Sequence, residues 1–178
     1  MIIGLSGYAG SGKDTVASVL IEQHGFTRLA FADPIREFLL LINPILNDGH
    51  KLNETVTMIG WDNAKSKPEV RRLLQDVGVG CRQMFGEDFW VKQLQKKIEA
   101  SSNVVITDVR FLNEADWIKE TGGQVWRVMR SGIRPINGHI SEVNLDNYKF
   151  DHFIVNDAGI NDIKQTLQLL LPHASQVH

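Results

Sequence analysis

The chain has a single cysteine, no long apolar run and no excess of basic residues. One thiol cannot form an internal disulfide, so Cys81 argues against a disulfide-stapled scaffold and fits a buried structural thiol in a reducing compartment. No stretch reaches the ~18 apolar residues of a membrane-spanning helix. With 19 Lys and Arg against 21 Asp and Glu, the chain lacks the basic field that general nucleic-acid binding needs. We therefore expect a cytoplasmic protein, in the host cytoplasm if viral, that binds neither membranes nor nucleic-acid polymers.

The 178 residues are 43% hydrophobic and 22% charged, which is typical of one globular domain, and we predict a single domain over 1–178. Short apolar runs at 2–6, 27–32, 103–108, 124–129 and 153–155 are typical of buried strands. Segments with helical spacing separate most of them. This alternation predicts an α/β fold, a parallel sheet flanked by helices and joined by right-handed crossovers.

Residues 33–100 have helical rather than strand periodicity. Asp33 and Pro34 are predicted to be the cap and first residue of a helix that ends before Pro44. Residues 43–67 give no clear element. A helix that begins at Pro68 is predicted to break at residues 78–80, where two glycines occur, and to resume over 88–98. We therefore predict a helical region inserted within the sheet.

A glycine-rich segment, Gly7 to Lys13, has the phosphate-loop spacing of Gly, four residues, Gly and Lys. It lies between a predicted strand and a predicted helix. Such a loop wraps a phosphate with its backbone N–H groups, and the lysine adds a charge between the β- and γ-phosphates. The alternative is a glycine-rich turn with a surface lysine. The residues predicted to bind ATP are Gly7, Ala9, Gly10, Ser11, Gly12, Lys13, Asp14 and Thr15.

Three oxygen-bearing side chains are candidate ligands of Mg²⁺. Asp14 stands where the common motif has Ser or Thr, and Thr15 supplies a hydroxyl one position later, so the sequence leaves both open. Asp108 follows a predicted strand, as does the second acidic element of phosphate-loop proteins. An acid at that place can also be a helix cap. We predict that Asp108 contributes to catalysis through the metal.

Arginines follow several predicted strands, on the side of an open α/β sheet where ligands bind. The forked guanidinium group suits a second phosphate and the transferred phosphoryl group, although any one arginine could be a solvated surface residue. The set comprises Arg36, Arg71, Arg72, Arg82, Arg110, Arg127, Arg130 and Arg134. Together with the phosphate loop, they favour a kinase of a small phosphorylated molecule.

Several segments resemble the bacteriophage-type deoxynucleoside monophosphate kinases, which belong to the phosphate-loop nucleoside monophosphate kinases. The resemblance lies in Gly-Tyr-Ala-Gly-Ser-Gly-Lys-Asp-Thr at 7–15, Phe-Ala-Asp-Pro-Ile-Arg at 31–36 and Thr-Asp-Val-Arg-Phe-Leu-Asn-Glu at 107–114. Two further segments, 72–90 and His-Ile-Ser-Glu at 139–142, are similar. Together these segments span most of the chain.

The resemblance implies ATP-dependent phosphorylation of a deoxynucleoside monophosphate to the diphosphate, with Mg²⁺. It makes residues 33–100 an acceptor-binding region. Residues 131–142 are polar and contain Gly132, Pro135 and Gly138, so we predict a lid there, and by the resemblance the catalytic arginine that closes over the phosphates is Arg134 in the lid or Arg130 just before it. Lys13 and Asp108 complete the predicted catalytic set. The implied substrate-binding residues are Asp33, Arg36, Arg72, Gln75, Arg82, Asp88, Trp90, Arg110 and Glu142. For Trp90 a core position is an equal alternative.

Because a phosphate acceptor is already an anion at neutral pH, we nominate no general base. Asp33 could orient the acceptor, with helix capping as the alternative. Two other functions remain open. One is a kinase of another phosphorylated acceptor, such as phosphomevalonate or dephospho-coenzyme A, and the other is a nucleotide-dependent switch or hydrolase. The expected partner is a small nucleotide, with a homodimer as a candidate assembly.

Overall fold

A computed structural model describes residues 1–98, 103–135 and 144–171. The chain divides into two compact units. The first combines Met1–Ala30 with Gln95–His178, and the second is Phe31–Leu94. In the part of the chain that is described, no helix is long and apolar enough to cross a membrane.

The first unit is built on a five-stranded sheet with the order β2-β3-β1-β4-β5. Every neighbouring pair of strands is parallel. The strands are β1 (Ile2–Ser6), β2 (Thr27–Leu29), β3 (Val104–Ile106), β4 (Gln124–Met129) and β5 (His152–Val155). The predicted α/β fold is therefore confirmed, although β2 ends at Leu29 and does not continue to Ala32.

Both faces of the sheet are covered, which explains the apolar strands. On one face, Ile3 and Leu5 of β1 belong to a buried cluster with residues of helix α1 (Lys13–His24) and of the C-terminal helix Ile160–Leu170. On the other face, helix α6 (Leu112–Glu120) lies so near that a Cβ on Gly4 would stand 2.6 Å from Ile118 Cδ1. The loops that follow the strands thus start from a rigid sheet.

The second unit contains helices α2 (Ala32–Ile42), α3 (Leu52–Ala64) and α4 (Pro68–Phe85) and the start of α5 (Phe89–Ile98). The C-terminal helix Ile160–Leu170 of the first unit is α7 in chain order. The second unit has its own buried apolar cluster, formed by Leu39, Leu46, Leu52, Ala64 and Val70. Its core is therefore separate from that of the sheet.

The helical region differs from the prediction in three places. Helix α3 occupies part of the segment 43–67 that gave no clear element, and its pattern is interrupted at Gly60, where φ is 74° and ψ is 161°. Helix α4 runs unbroken through Gly78 and Gly80. A Cβ on Gly78 would lie 3.4 Å from Ile35 Cδ1, an ordinary contact distance, so α4 packs against α2 at this glycine and stays helical. Asp33 lies in the first turn of α2 rather than at its cap, because the helix begins at Ala32.

Candidate active site

The phosphate loop joins β1 to α1 and depends on backbone conformations that favour glycine. Gly7 and Gly12 have φ angles of 148° and 98°. A Cβ on Gly7 would also collide with the carbonyl oxygen of Val128 and lie 2.7 Å from Ser11 Oγ. Inside the loop, Ser11 N donates to the Tyr8 carbonyl at 3.1 Å. The glycines therefore allow a tight loop directly beside β4.

Lys13 is the first residue of α1 and is half-buried. Its ammonium group donates to the carbonyl oxygens of Gly7 at 2.6 Å and Tyr8 at 3.0 Å. Two backbone acceptors thus fix the lysine charge against the loop at the positive end of the helix. This is the arrangement expected of a phosphate-binding lysine.

The segment after β5 fastens the loop to the end of β4. Asn156 donates from its side chain to the Ser11 carbonyl at 3.0 Å and from its backbone N–H to the Met129 carbonyl at 2.8 Å. Its side chain fills the space that a Cβ on Gly12 would need. No local sequence pattern marks Asn156 as a loop contact, because the hydrogen bond joins residues 145 positions apart.

Next to Asn156, Asp157 holds the first residue of the predicted lid. Its two carboxylate oxygens accept from the backbone N–H of Ser131 at 2.7 Å and from its hydroxyl at 2.6 Å. These hydrogen bonds lower the pKa of Asp157, the side-chain bond to Ser131 having the largest effect. The carboxylate is therefore ionised at neutral pH, and a charge-assisted pair of bonds anchors the segment that follows β4.

Beneath the loop, Arg127 of β4 is buried, with 8% of its surface exposed. Its guanidinium group donates to Ser6 Oγ at 3.3 Å and to Asp146 Oδ1 at 2.8 Å. Its central carbon lies 4.6 Å from the centroid of the Tyr8 ring, and Tyr8 donates its hydroxyl to Asp146 at 2.8 Å. Burial raises the pKa of Tyr8, and the hydrogen bond to Asp146 raises it further, so the hydroxyl remains a donor.

A cleft of about 410 Å³ opens beside this arrangement, all within the first unit. It is lined by the loop residues Tyr8 and Ser11, by the end of β4 with Arg130, and by an aromatic wall. The aromatic wall consists of Tyr148, Phe150 and Phe153. Ser11 is fully buried, and its hydroxyl has no hydrogen-bond partner among the described residues. The cleft therefore combines apolar surface with a few polar groups, as small-molecule sites do.

Asp108 lies at the carboxyl edge of the sheet, next to the loop. Strand β3 pairs with β1 up to Gly4 and Ile106, and beyond them Val109 N donates to the Leu5 carbonyl at 3.1 Å. Asp108 is half-buried, and the N-cap residue of α6 is Phe111 rather than Asp108. The role of Asp108 with the metal stays a prediction.

The other predicted residues of this edge are more exposed. Asp14 is exposed and Thr15 half-buried in the first turn of α1. Arg110 is exposed, and its backbone N–H donates to the buried carboxylate of Glu114 at 2.8 Å. Within the described residues, no group of three or more His, Cys, Asp or Glu side chains forms a metal-binding cluster.

The predicted lid is described only in part. Arg130 and Arg134 are exposed, and Ile133 N donates to the Arg130 carbonyl at 3.2 Å to close a turn in which Gly132 has a φ of 78°. Residues 136–142, including Glu142, lie outside the described residues. The lid therefore stays a prediction.

In the second unit, some predicted acceptor residues are exposed, and Asp33, Arg36 and Arg82 are half-buried. Arg36 forms an ion pair with Asp33 at 3.5 Å and lies 5.6 Å from the centroid of the Trp61 ring. Arg72 lies 4.0 Å from Asp76, and Arg82 lies 4.0 Å from Glu87. Gln75 and Asp88 are exposed.

Trp90 differs from these residues. It is 2% exposed, and its indole N–H donates to the Gly78 carbonyl at 2.9 Å. A substrate could not stack on a ring in this position, so the structure favours the core alternative for Trp90 over a substrate contact.

The family model for deoxynucleotide monophosphate kinase matches residues 47–167. A protein of Acanthamoeba polyphaga mimivirus, described as a deoxynucleotide monophosphate kinase, is 34% identical over 198 aligned positions, which cover 100% of both chains. The deoxynucleoside-5'-monophosphate kinase of Escherichia phage T5 is 25% identical, with 92% of this chain and 93% of the phage protein covered. Dephospho-CoA kinase from Campylobacter jejuni shares the fold, with a TM-score of 0.52, 12% identity and coverage of 98% of this chain and 97% of that one. The chain belongs to the deoxynucleotide monophosphate kinase family.

Proposed function

We propose that the chain transfers the γ-phosphoryl group of ATP to the phosphate of a deoxynucleoside monophosphate, forming ADP and the deoxynucleoside diphosphate. The observation that carries this proposal is the intact phosphate loop, with Lys13 held by two loop carbonyls, in a chain of this family. An oxygen of the acceptor phosphate attacks the γ-phosphorus, and the bond to the β-phosphate oxygen breaks. The acceptor is already an anion, so no side chain has to remove a proton.

Lys13 is expected to stabilise the leaving group of this reaction, which is ADP. When ATP binds, its ammonium group, which the Gly7 and Tyr8 carbonyls hold at the loop, would also donate to phosphate oxygens, which are strong acceptors for a cation. The loop N–H groups and the start of α1 add partial positive charge at the same place. Charge that builds on the β–γ bridging oxygen during transfer is thereby neutralised.

Mg²⁺ fits the donor set at this edge of the sheet. Asp14, Thr15 and Asp108 offer the oxygen ligands that Mg²⁺ prefers, and Mg²⁺ in kinases is held by one or two carboxylates together with substrate phosphates. We assign these three side chains to the metal, directly or through water. When bound, Mg²⁺ would neutralise phosphate charge.

The acceptor nucleotide is assigned to the second unit. Arg36, Arg72 and Arg82 would bind its phosphate, because arginine forks match phosphate oxygens. Asp33, Gln75 and Asp88 carry polar groups suited to sugar or base contacts.

Four residues of the first unit complete the assignment. Arg110 and Glu142 are assigned to the acceptor, and Arg130 and Arg134 to the phosphoryl group in transfer. A homodimer and a cytoplasmic location also stay predictions.

The test is an acceptor panel assayed by ADP release with ATP and Mg²⁺. Its members are the four common deoxynucleoside monophosphates, their ribonucleotide counterparts, phosphomevalonate and dephospho-coenzyme A. The proposal predicts that at least one deoxynucleoside monophosphate has the highest kcat/KM. Preference for dephospho-coenzyme A or phosphomevalonate would replace the proposal with the other kinase function. Equal ADP release with and without any acceptor would indicate a hydrolase.

A further inference from the structure

The phosphate loop has a support that the reaction itself does not require. Tyr8, the second residue of the loop, is held at three points. Its carbonyl accepts from Lys13 at 3.0 Å and from Ser11 N at 3.1 Å. Its ring lies against Arg127, and its hydroxyl donates to Asp146. The conformation of the loop therefore depends on groups outside the loop.

Arg127 is the centre of this support. It reaches Ser6, the last residue of β1 before the loop, and it also reaches Asp146. The Phe150 ring centroid also lies 5.4 Å from its central carbon. An arginine in contact with two aromatic rings, with a carboxylate and a hydroxyl as partners, has one well-defined position.

Burying such a charge is costly compared with an apolar side chain of the same size. The neighbours of Arg127 in β4, Trp126 and Val128, are fully or almost fully buried and pack in the apolar core. A methionine at 127 could fill the space between the rings. What it could not do is hold Ser6, Asp146 and the Tyr8 ring together.

We infer that Arg127, Asp146 and Tyr8 form a positioning network that keeps the phosphate loop in its ATP-binding conformation. The inference rests on the proposed function. Arg127 acts here through Ser6 and Tyr8 and is a positioning residue, not a ligand of phosphate. The charge of Arg127 is already paired with Asp146, and both terminal nitrogens of Arg127 donate to protein groups.

The test measures the dissociation constant of a non-hydrolysable ATP analogue with Mg²⁺ by calorimetry. We expect Arg127→Met to raise it by about tenfold or more, since hydrogen bonds to a charged group are lost. Tyr8→Phe removes one hydroxyl and should raise it by about two- to fivefold. Arg127→Lys should recover part of the affinity, because an ammonium group can still reach Asp146 but lacks the fork.

Asp146→Asn separates positioning from direct attraction. If the network positions the loop, this variant also binds the analogue more weakly, by about three- to tenfold, because Arg127 and Tyr8 would then donate to a neutral amide oxygen in place of a carboxylate, a weaker acceptor. If Arg127 instead attracts phosphate through its charge, removing the nearby negative charge would tighten binding. Tighter binding in Asp146→Asn would overturn the inference.

Lys119→Met is the matched control. Lys119 also combines an ion pair, to Asp151 at 3.1 Å, with an aromatic ring, that of Tyr148 at 5.4 Å. Both partners lie outside the phosphate loop, and the Tyr148 ring of the cleft wall is kept when the lysine is replaced. We expect this variant to change the melting temperature of the unliganded protein but to bind the analogue as the wild type does.

Equal loss of affinity in Lys119→Met and Arg127→Met, in proportion to lost stability, would reduce the network to a structural role and refute the inference. Tyr8→Phe and Asp146→Asn keep the test valid if Arg127→Met does not fold. The proposed function is judged separately, by turnover of the wild type with the acceptor panel. A wild type that binds the analogue but phosphorylates no deoxynucleotide would contradict that function without deciding the inference, which the variants decide.

Discussion

The two units hold their predicted phosphate-binding side chains in different ways. In the first, Lys13 is fixed by loop carbonyls at 2.6 and 3.0 Å, and the loop is fastened by Asn156. In the second, Arg72 is exposed and its ion pair with Asp76 spans 4.0 Å. Short bonds to backbone oxygens define a position, whereas a long ion pair near solvent contributes little.

This difference suggests a division of work. In the first unit, the phosphate loop already has a defined conformation without a ligand, so ATP binding need not lower its conformational entropy further. Arg72 of the second unit would take its final position when the acceptor phosphate binds. Changes in the first unit should therefore affect ATP binding and the chemical step, and changes in the second unit should affect acceptor binding. The predictions below test that division.

The largest effect is expected from Lys13→Ala. The γ-phosphoryl group would lose its nearest fixed cation, so kcat should fall by at least ~10²-fold while the protein stays folded. Steady-state kinetics and a circular dichroism spectrum provide the measurement. Lys119→Met serves as a control for the loss of one lysine charge. A folded Lys13→Ala enzyme with near-normal turnover would remove the phosphate-loop assignment.

Asp108→Asn is expected to lower activity by about 10- to 100-fold and to raise the Mg²⁺ concentration needed for half-maximal rate, because a metal ligand or its orienting group becomes neutral. A titration of activity with Mg²⁺ measures both quantities. Glu120→Gln, at the C-terminal end of α6, is a control for the loss of one exposed carboxylate. An unchanged metal titration in Asp108→Asn would exclude a role with Mg²⁺.

On the second unit, Arg72→Ala should raise KM for the acceptor by about tenfold and leave KM for ATP within about twofold, since one charge-assisted contact to phosphate is lost. Arg72 is exposed on α4, so the substitution should not disturb the core. Arg71→Ala, the exposed neighbour, is the control. A rise in KM for ATP instead would contradict the division between the units.

Arg134→Ala tests the lid. It should reduce kcat by about tenfold and leave the affinity for ATP alone nearly unchanged, because its contact would be made in the closed, reacting complex. Hydrogen exchange over 131–142, with and without a bisubstrate analogue, gives an independent measurement. Similar protection in both states would contradict lid closure.

The smallest effect concerns stability and pH. His24, in the last turn of α1, is 7% exposed, and neither ring nitrogen has a hydrogen-bond partner among the described residues. Burial lowers its pKa. As the pH falls, His24 is therefore protonated in the unfolded chain before it is protonated in the folded protein. The contribution of neutral His24 to the free energy of unfolding is complete above the unfolded-state pKa of about 6.5 and declines as the pH falls below it.

Urea unfolding at pH 7.5 and pH 5.5 measures this effect. The free energy of unfolding of the wild type should fall more between the two pH values than that of His24→Leu, which has no imidazole to protonate. Equal losses in the two proteins would assign the acid sensitivity to other groups.

Much of the first unit could be predicted from the sequence, because its signals are local. The spacing of glycines and Lys13 between a strand and a helix defines the loop, and the apolar runs define a buried parallel sheet. The supports of the loop could not be predicted. Arg127 and Ser6 are 121 positions apart, and Asn156 and Ser11 are 145 apart, so no local pattern connects them.

The second unit was harder to predict for a different reason. Two glycines predicted a break at residues 78–80, yet α4 continues through them, because its apolar residues Leu73, Leu74 and Val77 pack against the core of the second unit and a glycine in a helix costs only about 1 kcal/mol. The kink at Gly60 divides the helical pattern of α3 into pieces too short to identify. Tertiary packing decided both segments, and packing is not visible in local periodicity.

The central claim, that this chain phosphorylates a deoxynucleoside monophosphate, is tested most directly by identifying the product. The protein is incubated with ATP, Mg²⁺ and an equimolar mixture of the four deoxynucleoside monophosphates, and the nucleotides are resolved by mass spectrometry. We predict that at least one monophosphate becomes its diphosphate in a one-to-one ratio with ADP, and that Lys13→Ala abolishes both products. ADP that accumulates with inorganic phosphate and without any deoxynucleoside diphosphate would contradict the claim.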